Sequence, residues 1–424
     1  MSDNNINIEP GHYTETAFDR AKLIPWWSQD IISSSKVLVV GAGAIGNETL
    51  KNLALLGIGK IFICDMDEVS VSNLSRTVLF SMEDVGKDKA EIAAKRTLHM
   101  SNNPLCSVDY FVGDVTNELG HGVFRRFDIV LGCLDNMLTR VNVNHRCCLL
   151  QKPYLDAGIS DLGLSLNVHH YPESSCLNCG ISSDEIAREK MLRYSCDVFK
   201  KRAIQEGHAA TILISAAIVG ALQVQEAVKA LHQMNGIELE VPIQYGKKYH
   251  YHGMNHLSEQ MLIPANDDCS AHFSFDEVIE TNLSNNDSLR CVLEGLKQLF
   301  GYECVIDTYP DSAFVTKAKC ISCFKEILVN KPMSKIYSDE LYCSSCAKSD
   351  FMGYTSEYEA IDIFSLEMVD DYLLDYSLHQ LGIPPLHILT VREKDNSENI
   401  KYIELTGDLS KVLPNTFGEY EIPN

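Results

Sequence analysis

The sequence predicts an α/β fold built on a doubly wound, mainly parallel sheet, with smaller modules after it. Three observations carry that prediction. The run Val37-Leu38-Val39-Val40 is short, apolar and β-branched, and glycines follow it at once. A second run, Lys60 to Cys64, ends in Asp65, and a third, Phe127 to Gly132, is followed closely by Asp135. Continuous apolar runs of this length, separated by helical patterns, read as strands covered on both faces. Gly41, Gly43 and Gly46 fit G-x-G-x-x-G, which marks a tight strand-to-helix turn of the Rossmann-like kind.

Taken in order, residues 1–30 read as an N-terminal arm in which Trp26-Trp27 pack over the domain that follows. From Lys36 to Asp65 the chain gives strand, glycine turn, helix and strand. The acid at the end of the second strand lies where such folds meet a ribose hydroxyl, so this unit reads as a nucleotide site. Ser81 to His99 has helical spacing, Ser107 to Val112 reads as a third strand, and Phe127 to Gly132 as a fourth. Asp135 falls just past that strand, at the ligand edge of a parallel sheet, and it could also cap the helix carrying Arg140 and Asn144. Pro153 to Gly158 is another strand. Leu162 to Tyr171 alternates, which predicts an exposed antiparallel strand and a change to a mixed sheet. Ala209 to Leu231 is apolar around most of its circumference and reads as a helix buried on nearly every side. The polar run 280–287 reads as a linker. Beyond it come a helix, Leu289 to Phe300, a strand, Glu303 to Asp307, an amphipathic helix, Tyr372 to Leu381, and strands His387 to Val391 and Tyr402 to Leu405.

The chain has 424 residues, 45% of them hydrophobic, with a net charge of −22. That charge opposes binding to nucleic acid or an anionic membrane surface and favours a protein partner. The first residues lack a signal-peptide pattern, and Gln223, Gln225 and Glu226 interrupt the most apolar stretch, so a cytoplasmic protein is expected. Of 15 cysteines, six form three C-x-x-C pairs, a metal-binding pattern rather than a disulfide framework. Cys320-x2-Cys323 and Cys343-x2-Cys346 are separated by 19 residues, so their four thiolates can meet around one zinc ion as a ribbon.

After Asp65 the chain reads DMDEVSVSNLSR and then GKDKA, placing Asp67, Asn73, Arg76 and Lys89 near the glycine turn. Fixed cations suit the cleavage of a nucleoside triphosphate, where charge develops on phosphates, better than they suit hydride transfer. With GAGAIG and Leu134-Asp135-Asn136, these stretches resemble the ThiF/MoeB/HesA superfamily of ATP-dependent adenylating enzymes, which includes the ubiquitin-activating enzymes. The resemblance covers roughly residues 15–275. It implies a ThiF-type adenylation domain, residues 31–279, then a zinc-ribbon region, 288–350, and an α+β module, 351–424. It also implies that ATP and the C-terminal glycine of a ubiquitin-like or sulfur-carrier protein are joined as an acyl-adenylate with release of pyrophosphate.

On that resemblance Gly41, Gly43 and Gly46 admit the phosphates, Asp65 holds the ribose, and Asp67 and Asn73 shape the site. Arg76 and Lys89 offset phosphate charge, Asp135 helps hold Mg2+, and Arg20 reaches ATP, often across a homodimer. Cys176-x2-Cys179 matches the family's first zinc knuckle. No second C-x-x-C follows the long helix, so Cys269 and His272 are expected to complete a Cys3His zinc site. Relatives that pass on a ubiquitin-like protein often carry a thioester-forming cysteine before that helix. His208 stands nearest the helix start, which leaves Cys196, beside Lys200, Lys201 and Arg202, as the candidate against the plain reading of a structural cysteine. The C-terminal module sits where some activating enzymes recruit a conjugating enzyme, a positional analogy only. The readings set against protein modification are adenylation of a sulfur carrier for cofactor synthesis, an NAD-dependent oxidoreductase and an inactive binding subunit.

Overall fold

The computed structural model describes residues 15–182, 212–307, 313–320, 323–336, 356–361, 363–364 and 369–417. Cys196, His208, Cys343 and Cys346 lie outside the described residues. The first part of the chain runs α1 (Gln29–Ser34), β1 (Lys36–Val40), α2 (Ala44–Leu56), β2 (Lys60–Asp65), α3 (Lys89–Met100), β3 (Ser107–Val112), α4 (His121–Arg125), β4 (Ile129–Gly132), α5 (Met137–Leu149), β5 (Tyr154–Ile159), β6 (Gly163–His169), α6 (Leu213–Met234), β7 (Lys247–His252) and β8 (Leu257–Leu262). Its sheet has the order β3-β2-β1-β4-β5-β6-β7-β8. The first five strands are parallel and the remaining pairs antiparallel, so the sheet is mixed as its patterning predicts.

Strand β1 shows why an unbroken apolar run is needed at the centre. Val37 and Val39 enter the core beneath α2, α3 and α6, with Leu50, Leu53, Ala93, Val219 and Ala227. Leu38 and Val40 enter the opposite core, with Phe62, Phe124, Phe127 and Cys147. Truncating a fully enclosed side chain such as Leu38 to alanine costs about 2–5 kcal/mol.

A second sheet uses β9 (Val278–Thr281) and strands from much further on. After α7 (Leu289–Phe300) come β10 (Cys304–Asp307), β11 (Phe314–Cys320), β12 (Glu326–Pro332), β13 (Ser356–Ile361), β14 (Ile363–Phe364), α8 (Asp371–Leu374), β15 (Ile388–Glu393), β16 (Asn396–Leu405), α9 (Leu409–Val412) and α10 (Pro414–Phe417). The second sheet has the order β14-β10-β15-β16-β9, and β12-β11-β13 form a third. Strands β9 and β16 are parallel, with Val278 opposite Tyr402. The C-terminal segment returns to the first sheet. Leu409, Val412 and Leu413 share the core of Phe62 and Phe127, and the Asp109 carboxylate accepts from the backbone of Asn415 and Thr416.

Several expectations are corrected. The predicted helix Ser81 to His99 begins at Lys89, because Gly86 takes a φ of +83° and breaks the run. Strand β6 is buried between β5 and β7 rather than exposed, its alternation reflecting a polar but enclosed face. Helix α6 is not covered all round: Ile214 and Ile218 stand 59% and 38% exposed on one side. It is long and apolar enough to cross a membrane by length and composition, yet it packs against α2 and β5. The polar run at 280–287 is no free linker. Glu280 and Thr281 complete β9, and Ser284 and Asn285 are pinned by the Asp408 carboxylate. The helix predicted over Tyr372 to Leu381 ends at Leu374 and gives way to a turn held by a Ser288–Ser377 bridge.

Candidate functional site

The sheet edge where β1, β2 and β4 end gathers most of the residues singled out in the sequence. Gly41 takes a φ of +98°, and its N–H donates to the Cys64 carbonyl at 2.8 Å. A Cβ there would fall 2.4 Å from the Cys133 carbonyl oxygen, and one on Gly46 would fall 2.0 Å from the oxygen of Gly41. Those two glycines are required by the closeness of the turn to its own backbone. Gly43 differs, because a Cβ there meets nothing within 4 Å. That glycine faces open space at the N-terminus of α2, where backbone N–H groups and the helix dipole favour an anion.

Asp65 ties the turn to the next loop: its Oδ2 accepts from the Ala42 N–H at 2.6 Å and its Oδ1 from the Asp67 N–H at 2.8 Å. Burial pushes its carboxyl above the usual range, against the pull of Lys89 and the two N–H donors. Carboxylate oxygens have further lone pairs, so a hydroxyl can still be accepted. Asp67 and Lys89 are distant in sequence and are brought together by the backbone. Val69 N–H donates to the Lys87 carbonyl, Gly86 N–H to Val69 and Lys89 N–H to Asp67, each at 2.8–2.9 Å. The Lys89 ammonium then lies 2.7 Å from Asp67 Oδ2, with Lys89 only 8% exposed. The result is a held cation near Asp65, which also holds the glycine turn.

Arg76 is half-buried and folds its guanidinium back to the Ser72 carbonyl at 2.7 Å. Asn73 accepts from the Ser70 N–H at 3.0 Å and so shapes the loop that carries Arg76. Asp135 is exposed beyond β4 and does not cap α5. Asn136 does, by accepting from the Thr139 N–H at 2.8 Å, which leaves the Asp135 carboxylate outside that role. Arg20 is exposed on the arm and among the described residues forms no hydrogen bond or ion pair with the glycine turn, Asp65, Lys89 or Asp135. Trp26 and Trp27 pack on His232 at ring distances of 5.3 and 5.4 Å, the packing role expected for the arm.

Sequence reading missed three residues that hold this edge. Asn47 donates to the carbonyls of Ala42 and Gly43 at 2.7 and 3.0 Å and accepts from the Leu79 N–H at 2.8 Å. Gln223 of α6 donates to the carbonyls of Gly132 and Leu155 at 3.0 and 2.8 Å and accepts from the Thr49 hydroxyl at 2.9 Å. Arg140 donates to Asp156 at 2.6 Å and to the Leu134 carbonyl, fixing the backbone just before Asp135. A polar residue inside an otherwise apolar pattern was the available signal for Gln223.

Cys176, Cys179, Cys269 and His272 converge from two distant segments, with one donor atom from each within 4.8 Å of the others. The Cys176 sulfur lies 3.8 Å from Cys179 and 3.7 Å from Cys269, and Cys179 lies 3.2 Å from His272 Nε2. Thiolates bound tetrahedrally at about 2.3 Å from one ion stand about 3.8 Å apart, so the donor set fits a metal. Cys148 beside it draws the Cys176 thiol below its ordinary range despite its burial. Tyr171 stacks on His272 at 4.5 Å and orients the ring. Of the proposed ribbon, Cys320 closes β11 and is buried while Cys323 is exposed in the turn after it; the second pair lies outside the described residues.

The ThiF family model matches residues 18–271. Over 151 residues, 35% of this chain, the sequence is 37% identical to the SUMO-activating enzyme subunit 2 of Dictyostelium discoideum, covering 22% of that protein. Over 144 residues, 34% of this chain, it is 38% identical to the sulfur carrier protein adenylyltransferase of Thermus thermophilus, covering 52% of it. The chain thus spans well under two thirds of either relative. A crystal structure of E. coli MccB with ATP aligns with 62% of this chain and 76% of its own, at 23% identity and a TM-score of 0.49.

Proposed function

The chain belongs to the ThiF family, and from that premise we propose that it adenylates the C-terminal glycine of a ubiquitin-like protein, using ATP and releasing pyrophosphate. The observation that carries the proposal is the Lys89–Asp67 pair, which holds an almost buried cation near enough to act on Asp65, the carboxylate that also holds the Ala42 N–H of the glycine turn. A carboxylate attacking a polyphosphate needs its charge repulsion offset by groups already in place, since a fixed donor costs no reorganisation during reaction. Lys89 and the α2 N–H groups have that property here. Arg76 would add a second charge by turning from its own loop toward the phosphates. Asp65 would accept a ribose hydroxyl while it pins Ala42. Exposed Asp135 would hold Mg2+, which when bound supplies neutralisation of the leaving pyrophosphate. The attacking carboxylate is already ionised at neutral pH, so no general base is required. A hydride-transfer reading has no use for the Lys89–Asp67 pair, and an inactive subunit would have no need to keep these groups assembled.

Cys176, Cys179, Cys269 and His272 would hold a structural Zn2+ that clamps the segment after β6 to the one before β9. We expect a cytoplasmic homodimer, with Arg20 serving the partner's site and the exposed side of α6 contributing to the seam. Transfer through a thioester on Cys196 to a conjugating enzyme is the continuation we favour. Adenylation of a sulfur carrier is the second reading, supported by the similarity to the Thermus enzyme.

The experiment is carrier-dependent exchange of labelled pyrophosphate into ATP, using candidate ubiquitin-like and sulfur-carrier proteins ending in glycine. Exchange that disappears when the terminal glycine is removed supports the assignment; ATP turnover independent of any carrier overturns it. A thiol-sensitive adduct on a non-reducing gel, lost in Cys196→Ala while exchange persists, separates protein modification from an enzyme that stops at the adenylate.

A further inference from the structure

The β7–β8 hairpin carries a side-chain cluster that the adenylation chemistry does not use. His250 and His252 stand two residues apart on β7 and so project from one face of the sheet. Their ring centroids are 4.1 Å apart. Glu259 of β8 is the cross-strand partner of His250, and its Oε2 lies 3.8 Å from His252 Nε2. One donor atom from each of the three residues lies within 4.8 Å of the other two. On the neighbouring strand β6, Gly163 stands opposite His252 and Ser165 opposite His250.

We propose that His250, His252 and Glu259 bind one divalent transition-metal ion at a solvent-accessible site distinct from the Cys3His cluster. Two imidazoles and a carboxylate are the donor set for borderline ions such as Zn2+, Co2+ or Ni2+, and thiolate is not needed. Three protein donors from one sheet face leave coordination positions open to water or to an incoming carboxylate. Lys248 shares the face and repels a cation, but it lies at a solvated position where salt screens it, and Glu259 acts in the opposite sense. The register sets Gly158, Ser165, His250 and Glu259 in one row across β5 to β8. A Cβ on Gly158 would lie 3.4 Å from the Arg140 guanidinium, so the bound ion would share a sheet face with Arg140. The site therefore overlooks the surface leading to the nucleotide edge.

The test uses the full chain, washed with a mild chelator that strips open sites and spares thiolate-bound metal. Equilibrium dialysis against Zn2+, followed by elemental analysis, should show one ion per chain rebound in wild type. The His250→Gln/His252→Gln variant should lose that ion, and Glu259→Gln should weaken it at least about tenfold, since even changes to groups behind the ligands cost that much. With Co2+ the rebound ion should give d–d absorption without the thiolate charge-transfer band of the Cys3His site. All three residues are surface-accessible, and circular dichroism checks that the variants fold. Unchanged rebinding in both variants, or a rebound Co2+ that shows thiolate charge transfer, overturns the proposal.

Discussion

Replacing Gln223 by leucine tests the joint between α6 and the ligand edge of the sheet. Gln223 is fully enclosed and makes three hydrogen bonds of 2.8–3.0 Å, to Gly132, Leu155 and Thr49. Leucine has nearly the same volume and can form none of them. Each lost bond to a carbonyl costs about 0.5–1.5 kcal/mol, and a hydroxyl left enclosed without its acceptor about 1–3 kcal/mol. Together these give about 2–6 kcal/mol. A domain of this size shifts its melting temperature by about 2–4 °C for each kcal/mol, so a drop of about 4–24 °C is expected. Trp26 and Trp27 are the chain's two tryptophans and rest on His232 at the far end of the same helix, so their fluorescence reports the transition. Gln225→Leu makes the same chemical change at an exposed position of α6 and should shift the midpoint by no more than 2 °C. If the two variants melt together, Gln223 is not what holds the helix to the sheet edge.

Three further outcomes are expected. Lys89→Ala should lower the rate of carrier-dependent pyrophosphate exchange by about 10²–10³-fold with the melting temperature nearly kept, as for loss of one preorganised donor; an effect under tenfold would remove Lys89 from the chemistry. The His121 and His387 rings lie 4.4 Å apart and tilted, with each Nδ1 enclosed and without a hydrogen-bond partner among the described residues; burial, and then Arg146, pulls His387 to about 3. Their neutral forms stabilise the fold fully above about pH 6.5, and each histidine loses about 1.4 kcal/mol per pH unit as pH falls below it, so the urea midpoint should drop between pH 7 and pH 5 and flatten in His387→Phe; an unchanged midpoint would refute this. Cys269→Ala should remove one tightly held zinc from chelator-washed protein, and elemental analysis showing the same zinc content as wild type would place the ion elsewhere.

The parallel half of the fold was legible because its central strands are nearly unbroken apolar runs: β1 and β2 fall where their residues predict, and β3 does so despite Asp109 within it. The cluster of Cys176, Cys179, Cys269 and His272 was also legible, since cysteine spacing limits the partners available. Breaks were harder. Gly86 delays one helix to Lys89 and the turn after Leu374 ends another, although the apolar spacing runs past both. What spacing could not carry was the identity of partners across long separations. The Asp67–Lys89 pair depends on a backbone ladder between two loops, and the apolar residues of 409–417 give no sign that they belong to the first core. The charged row Arg125, Arg126, Glu280 and Glu404, with contacts of 2.6–2.9 Å, ties the end of α4 to the second sheet and looks in sequence like ordinary surface charge.

The return of Leu409 and Leu413 to the core of Phe62 and Phe127 sets an order on biosynthesis. At a translation rate of about 5–20 residues per second, the face of the first sheet made by Phe127 waits roughly 15 s to a minute before Leu409 leaves the ribosome. Strand β9 waits for β16 in the same way, with Val278 ready long before Tyr402. During that interval an aromatic, aliphatic surface meant to be enclosed is open to solvent, which is the kind of surface that holdase chaperones retain. A nascent chain stalled or cut after β8 would thus carry every residue of the nucleotide edge and still lack the cover on the opposite face of its sheet. Competence for catalysis should appear late in synthesis, as a single event, when residues 409–417 dock.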